Sequence, residues 1–111
     1  MKVNNLSVLI PCYNEKETII NVIEKVQSLK FINKEIIIVD DGSTDGTREL
    51  LRERLNSKKQ INEKIMFHDR NYGKGAAIKT ALKNVSFDYA VIQDADLEYD
   101  PNDYYKLLKP F

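Results

Sequence analysis

Four acids stand on alternate positions in the stretch IQDADLEYDP, residues 92–101: Asp94, Asp96, Glu98 and Asp100. Like charges at that spacing repel, and each carboxylate is disfavoured unless water, a cation or a donor satisfies it. Asp94 and Asp96 are two apart, so in extended backbone their side chains leave the chain on the same side. Mg²⁺ or Mn²⁺ is commonly held by one or two carboxylates together with substrate phosphates. A diphosphate bridged in that way is a better leaving group, because its developing charge is neutralised. The plainer reading is a solvated acidic loop that caps a helix. Asp100, directly before Pro101, fits that role.

Three further stretches have the same flavour: PCYNE at 11–15, DDGSTDGT at 40–47 and DRNYGKG at 69–75. Between them they hold all four glycines of the chain, Gly42, Gly46, Gly73 and Gly75. Gly, Asp, Asn and Ser are ordinary turn residues, so any one of these stretches could be a connector. Four of them on one edge of a fold point to a ligand instead, since glycine lets a backbone approach it closely.

The elements that would position them follow from periodicity. LSVLIP (6–11) reads as a short apolar strand closed by proline. Residues 16–30 read as a helix with Ile19, Val22, Ile23 and Val26 on one face. EIIIVD (35–40) is apolar without alternation, as a parallel strand covered on both faces should be. A more charged helix is expected over 47–55, a polar surface loop over 56–64 and a short strand over 65–68. A third helix is expected over 75–85, with Ile78, Ala81, Leu82 and Val85 on one face, then a strand over 89–93 and a last helix to about Leu108. Strands alternating with helices imply a mostly parallel sheet with right-handed crossovers. Each of the four polar stretches follows a strand. They therefore share the carboxyl edge of the sheet, where such folds bind ligands near the point at which strand order reverses.

Composition narrows the class. A chain of 111 residues is enough for one domain with a core, and Lys+Arg balance Asp+Glu at 17 each, so no basic face argues for nucleic acid. The N-terminal apolar run ends at Pro11 and reads as a strand rather than a leader, and no apolar run approaches the roughly 18 residues of a membrane span. One cysteine, Cys12, allows no internal disulfide and suits a reduced, cytoplasmic setting; it reads as a small buried apolar residue, and the single histidine, His68, as structural. An EF-hand is excluded by Tyr99 and Tyr105 at its sixth and twelfth positions, and no Walker loop is present. Gly73 and Gly75 match two of three glycines of a dinucleotide-binding fingerprint. A dinucleotide-binding module is thus a rival reading, although it explains neither PCYNE nor DDGSTDGT.

Taken in order, VLIPCYNEKETI, EIIIVDDGSTDGT, NYGKGAAIKTAL and QDADLEYDP resemble the family-2 inverting glycosyltransferases of the GT-A fold, and within them the polyprenyl-phosphate sugar synthases. The likeness runs from Leu6 to Leu108. It implies a Rossmann-like three-layer α/β sandwich that binds a nucleotide-diphosphate sugar, UDP- or GDP-linked, with Mg²⁺ or Mn²⁺. It also implies residue roles. Pro11, Tyr13 and Glu15 would line the nucleotide pocket, and Val39, Asp40 and Asp41 would lie along base and ribose. Lys74 would face phosphate. Asp94, Ala95 and Asp96 form the D-x-D segment on the donor, with Asp94 and Asp96 central to catalysis and Asp94, Asp96 and Glu98 around the metal. Family members are about twice as long and carry the acceptor site in their second half. The resemblance therefore implies the nucleotide-sugar-binding half of such an enzyme, acting on a polyprenyl phosphate at the cytoplasmic membrane face. Its open edge would meet a C-terminal half or a second copy. A non-catalytic nucleotide-sugar-binding fragment is the remaining alternative.

Overall fold

The computed structural model describes residues 5–30, 33–57 and 62–96. The elements run β1 (Asn5–Cys12), α1 (Ile19–Gln27), β2 (Asn33–Asp40), α2 (Thr47–Ser57), β3 (Glu63–Phe67), α3 (Lys74–Leu82) and β4 (Tyr89–Ile92). The expected last helix, with Asp100 and Asp103 at its start, and the expected metal contact of Glu98 lie outside the described residues.

All strand pairs are parallel, in the order β3-β2-β1-β4. Successive side chains of a strand face opposite ways, which splits the core in two. Leu6, Val8, Ile10 and Cys12 of β1 and Ile36 and Ile38 of β2 pack with Ile19, Val22, Ile23 and Val26 of α1 and Leu51 of α2. Leu9, Ile37 and Val39 face the other side and pack with Ala77 and Ala81 of α3. The result is helix, sheet and helix in three layers. The four α1 residues are fully buried, at roughly 2 kcal/mol of transfer free energy each. No helix among the described residues is long and apolar enough to cross a membrane.

Three expectations are corrected. The third helix buries Ala77 and Ala81, whereas Leu82 is 49% exposed. Alanines let the helix backbone approach the sheet closely, and that geometry turns the larger leucine outward. The first helix begins at Ile19 rather than Lys16, because the amides of Thr18 and Ile19 first close a turn on the Glu15 carbonyl. The polar stretch 56–64 is shorter as a loop than expected. Helix α2 runs on through Ser57, and Glu63 and Lys64 already belong to β3. A fork holds those ends together: Arg54 Nε and Nη2 donate to the two oxygens of Glu63 at 2.6 and 2.7 Å.

Candidate nucleotide and metal site

The chain turns back at β1. Strands β2 and β3 extend the sheet to one side, and β4 then pairs on the other. A cleft of about 500 Å³ opens at the carboxyl edge beside that reversal. Pro11 and Cys12 line it from the end of β1, Tyr13 and Glu15 from the loop that follows, and Asp41 from the loop after β2. Asn71, Gly73, Lys74 and Ala77 line it from the loop after β3 and the start of α3, and Asp94, Ala95 and Asp96 from the loop after β4. One residue group from each of the four polar stretches thus meets in one place.

Side chains staple these loops to one another. Asn14 adopts φ +54°, a left-handed backbone that Asn tolerates better than most residues. In that position its amide donates to Ser43 Oγ at 2.9 Å and its Oδ1 accepts from the Thr44 amide at 2.8 Å. The Glu15 amide donates to Thr47 Oγ1 at 3.0 Å and the Lys16 amide to Asp45 Oδ2 at 3.2 Å. Burial pushes the Asp45 carboxyl up, but hydrogen bonds from Thr47 and Lys16 outweigh it and hold the group below its usual range. Thr18 donates its hydroxyl to the Ala95 carbonyl at 2.5 Å, tying the D-x-D segment to the start of α1.

Asp41 is the hinge of the far wall. Its carboxylate accepts from the Tyr72 amide at 2.9 Å, the Gly73 amide at 2.8 Å and His68 Nδ1 at 2.8 Å. Asn71 Nδ2 donates to the Asp41 carbonyl at 3.3 Å. The chain at Arg70 and Asn71 lies so close to Gly42 (φ +75°) that a Cβ there would stand 2.3 Å from the Arg70 carbonyl carbon. Only glycine fits that crossing.

Val39 and Asp40 do not line the cleft. Val39 is buried against α3. Asp40 is fully buried behind Asp41: its Oδ2 accepts from the Ser43 amide at 3.3 Å and lies 3.8 Å from Arg48 Nη1. Its Oδ1 has no hydrogen-bond partner among the described residues. The two adjacent acids cannot both reach the cleft, because the chain turns them to different sides.

Electrostatically the cleft is negative. Burial pushes the Cys12 thiol far above its ordinary range, and Asp40, Glu15, Asp45 and Asp41 add to the shift. Lys74 Nζ stands 2.5 Å from Asp94 Oδ1, a cation already seated on the first acid of the D-x-D pair. The carboxylates of Asp94 and Asp96 are hard oxygen donors on the cleft wall, the chemistry that suits Mg²⁺ or Mn²⁺. Among the described residues no three His, Cys, Asp or Glu side chains are grouped so as to hold a metal ion by themselves. Among the described residues, Asp94 and Asp96 are the carboxylates placed to share such an ion with phosphate or water.

Sequence reasoning did not single out Asn14, Thr18, Ser43, Thr47 or Asn71, and it left His68 as a structural residue. Small polar residues in loops are read as turn formers. Only their partners across the sheet edge reveal them as staples.

The chain belongs to glycosyl transferase family 2, whose sequence profile matches residues 7–111. It is 36% identical over 110 residues to a poly-β-1,6-N-acetyl-D-glucosamine synthase of Staphylococcus epidermidis, covering 99% of this chain and 26% of that protein. The chain thus spans about a quarter of the length of the curated relatives it matches. Its fold is that of GT-A glycosyltransferases. It superimposes with a TM-score of 0.80 and 25% identity on a mannosyltransferase from Pyrobaculum calidifontis in complex with GDP-Man and Mn²⁺, covering 99% of this chain and 34% of that one. TarS of Staphylococcus aureus in complex with UDP-GlcNAc gives a TM-score of 0.68 at 27% identity, over 83% of this chain and 26% of that one. Glucosyl-3-phosphoglycerate synthase from Mycobacterium tuberculosis, with Mn²⁺, UDP and glucosyl-3-phosphoglycerate, gives 0.70 at 26% identity, over 92% and 37%.

Proposed function

We propose that the cleft is the donor site of a sugar transferase and binds a nucleotide-diphosphate sugar, UDP- or GDP-linked, together with Mn²⁺ or Mg²⁺. The observation that carries this reading is the meeting of Tyr13, Asp41, Lys74, Asp94 and Asp96 around one cleft at the sheet reversal. Tyr13 is 44% exposed and offers a ring face to a base. Asp41 offers acceptor capacity to base or ribose. Lys74 offers an ammonium to the diphosphate. A diphosphate would be repelled by the acids of the cleft alone, so its binding needs a counter-cation, and Asp94 and Asp96, with Glu98, are the residues to hold it. When bound, that cation supplies charge neutralisation for the leaving diphosphate.

In the transfer, an acceptor oxygen bonds to the anomeric carbon as the bond from that carbon to the diphosphate breaks, and the nucleoside diphosphate leaves. Attack from the face opposite the leaving group inverts the anomeric centre. A hydroxyl acceptor must lose a proton to a general base. A polyprenyl phosphate acceptor is largely ionised at neutral pH, its second pKa being about 6, and needs alignment rather than deprotonation. The likeness of the motifs to those of polyprenyl-phosphate sugar synthases favours the lipid phosphate, with the enzyme working at the membrane surface. The synthase relatives favour a second reading, a saccharide hydroxyl.

Calorimetric titration with UDP and GDP, each with Mn²⁺ and with EDTA, tests the donor site. Metal-dependent binding of one nucleotide, lost in Asp96→Ala, is expected. Equal binding in EDTA, or no loss in the variant, refutes the reading. Offering the matching nucleotide sugar to the whole protein with polyprenyl phosphate or with an oligosaccharide then separates the two acceptors.

A further inference from the structure

We propose that His68 is a positioning residue of the donor site, acting on the nucleotide through Asp41 and the loop that Asp41 holds. The inference rests on the donor-site reading above. His68 follows β3 directly, its amide donating to the Asp40 carbonyl at 2.8 Å, and it does not itself line the cleft. Its ring joins three parts of the cleft wall. Nδ1 lies 2.8 Å from Asp41 Oδ1 at the end of β2. Nε2 lies 2.8 Å from Thr80 Oγ1, on the helix that Lys74 begins. The ring edge meets Tyr72 at a centroid distance of 5.5 Å and an angle of 82°.

The partners fix the tautomer. An ionised carboxylate only accepts, so Nδ1 carries the hydrogen and donates it to Asp41. In the neutral ring Nε2 is then an acceptor, and the Thr80 hydroxyl donates to it. Asp41 Oδ1 receives two donors, His68 Nδ1–H and the Tyr72 amide, while Oδ2 receives the Gly73 amide. Two donors saturate Oδ1, and Oδ2 keeps one acceptor position for a ligand. The imidazole thereby sets which oxygen the carboxylate turns inward. Without it, only the Tyr72 and Gly73 amides hold the carboxylate, and an anchor that can turn fixes their loop less firmly. Asn71, Gly73 and Lys74, all on the cleft wall, would lose their placement together.

The test uses two substitutions that split the ring in half. His68→Asn carries an amide N–H near the place of Nδ1 and can still reach Asp41. His68→Gln carries it near the place of Nε2 and reaches Thr80 only. His68→Leu keeps neither. Three quantities are read: hydrogen exchange of the Tyr72 and Gly73 amides in the ligand-free chain, affinity for UDP and GDP with Mn²⁺, and thermal stability. For the Gln and Leu variants, exchange at Tyr72 and Gly73 is expected to accelerate roughly tenfold and the nucleotide to bind roughly tenfold more weakly, the effect of one charge-assisted hydrogen bond. His68→Asn should restore both to within about threefold. A lower melting temperature with unchanged affinity, or an Asn variant no better than Leu, overturns the proposal and leaves His68 a packing residue. If His68→Leu does not fold, the Asn and Gln pair carries the same comparison. A wild-type chain that binds neither nucleotide overturns the donor-site reading itself, whereas exchange at Tyr72 and Gly73 still decides whether His68 holds Asp41.

Discussion

Replacing Gly42 by alanine tests the crossing on which the far wall of the cleft depends. The cost has three parts. A left-handed backbone at φ +75° penalises an L-residue by about 1 kcal/mol. The new Cβ would lie 2.3 Å from the Arg70 carbonyl carbon and 2.5 Å from the Asn71 nitrogen, where ordinary contact begins at 3.4 Å. Both are backbone atoms, so no rotamer relieves the clash and the loop itself must retreat by about 1 Å. That retreat stretches the Tyr72 and Gly73 amides away from Asp41, at about 1 kcal/mol for each bond weakened. The sum is about 3 kcal/mol. With a urea slope of about 1.5 kcal/mol per M, the unfolding midpoint should fall by about 2 M. Nucleotide affinity should fall with it, because Asn71, Gly73 and Lys74 move as one. Urea unfolding followed by circular dichroism, with calorimetry on the folded variant, measures both. A midpoint shift below about 0.5 M with intact binding would refute the account of the crossing.

Three other outcomes follow from described contacts. Arg54→Ala should destabilise the chain by about 2 kcal/mol, because it takes the cation from the Glu63 carboxylate, whose side chain is only 3% exposed, and leaves it the Gln27 amide as donor; pairing it with Glu63→Leu should recover much of the loss. Burial raises the Glu35 carboxyl, but bonds from Ser7, Ser86 and Lys64 outweigh it, so Glu35, like Asp45, titrates below its ordinary value of 4.5 or 3.8 respectively. Groups depressed in the folded state add stability above those values and lose it as pH falls through the lowered ones. Melting temperature should therefore drop on going from about pH 5 to about pH 3, and Glu35→Gln should flatten that slope. Cys12 is 4% exposed and its thiol is strongly disfavoured as thiolate, so a thiol reagent should modify it only at the rate of unfolding; fast labelling of the native chain would contradict the buried, acid-ringed placement.

Much of this architecture was legible in the residues. Ile19, Val22, Ile23 and Val26 recur at helical spacing and are the residues buried in α1. The unbroken EIIIVD run had to be a central strand, and it lies between β1 and β3. Acids and glycines following strand after strand marked the carboxyl edge and the Asp94 and Asp96 pair, whereas Tyr13, Glu15, Asp41 and Lys74 were implied by the resemblance to family-2 glycosyltransferases, and all six line the cleft. Three kinds of information were hidden. Periodicity rates leucine above alanine, so it missed that α3 approaches through Ala77 and Ala81. Spacing cannot tell which of two adjacent acids faces a cleft, and Asp40 proved to be behind Asp41. The partners of His68 lie 27 and 12 positions away, beyond any local pattern.

The pairing of β4 with β1 also bears on the order of folding. Asn5 faces Asn33 across the first strand pair, 28 positions apart, whereas Leu6 faces Tyr89, 83 positions apart. Closing the longer loop costs about 1 kcal/mol more in chain entropy, and a ribosome delivers β4 after β1, β2 and β3. Strands β1 to β3 can therefore assemble before the D-x-D segment has a place to sit. The cleft is then the final part of the described chain to form. A nucleotide and its cation, by bridging Asp94 and Asp96 to Tyr13 and Asp41, would clamp β4 to its neighbours and slow the unravelling of the sheet from that edge.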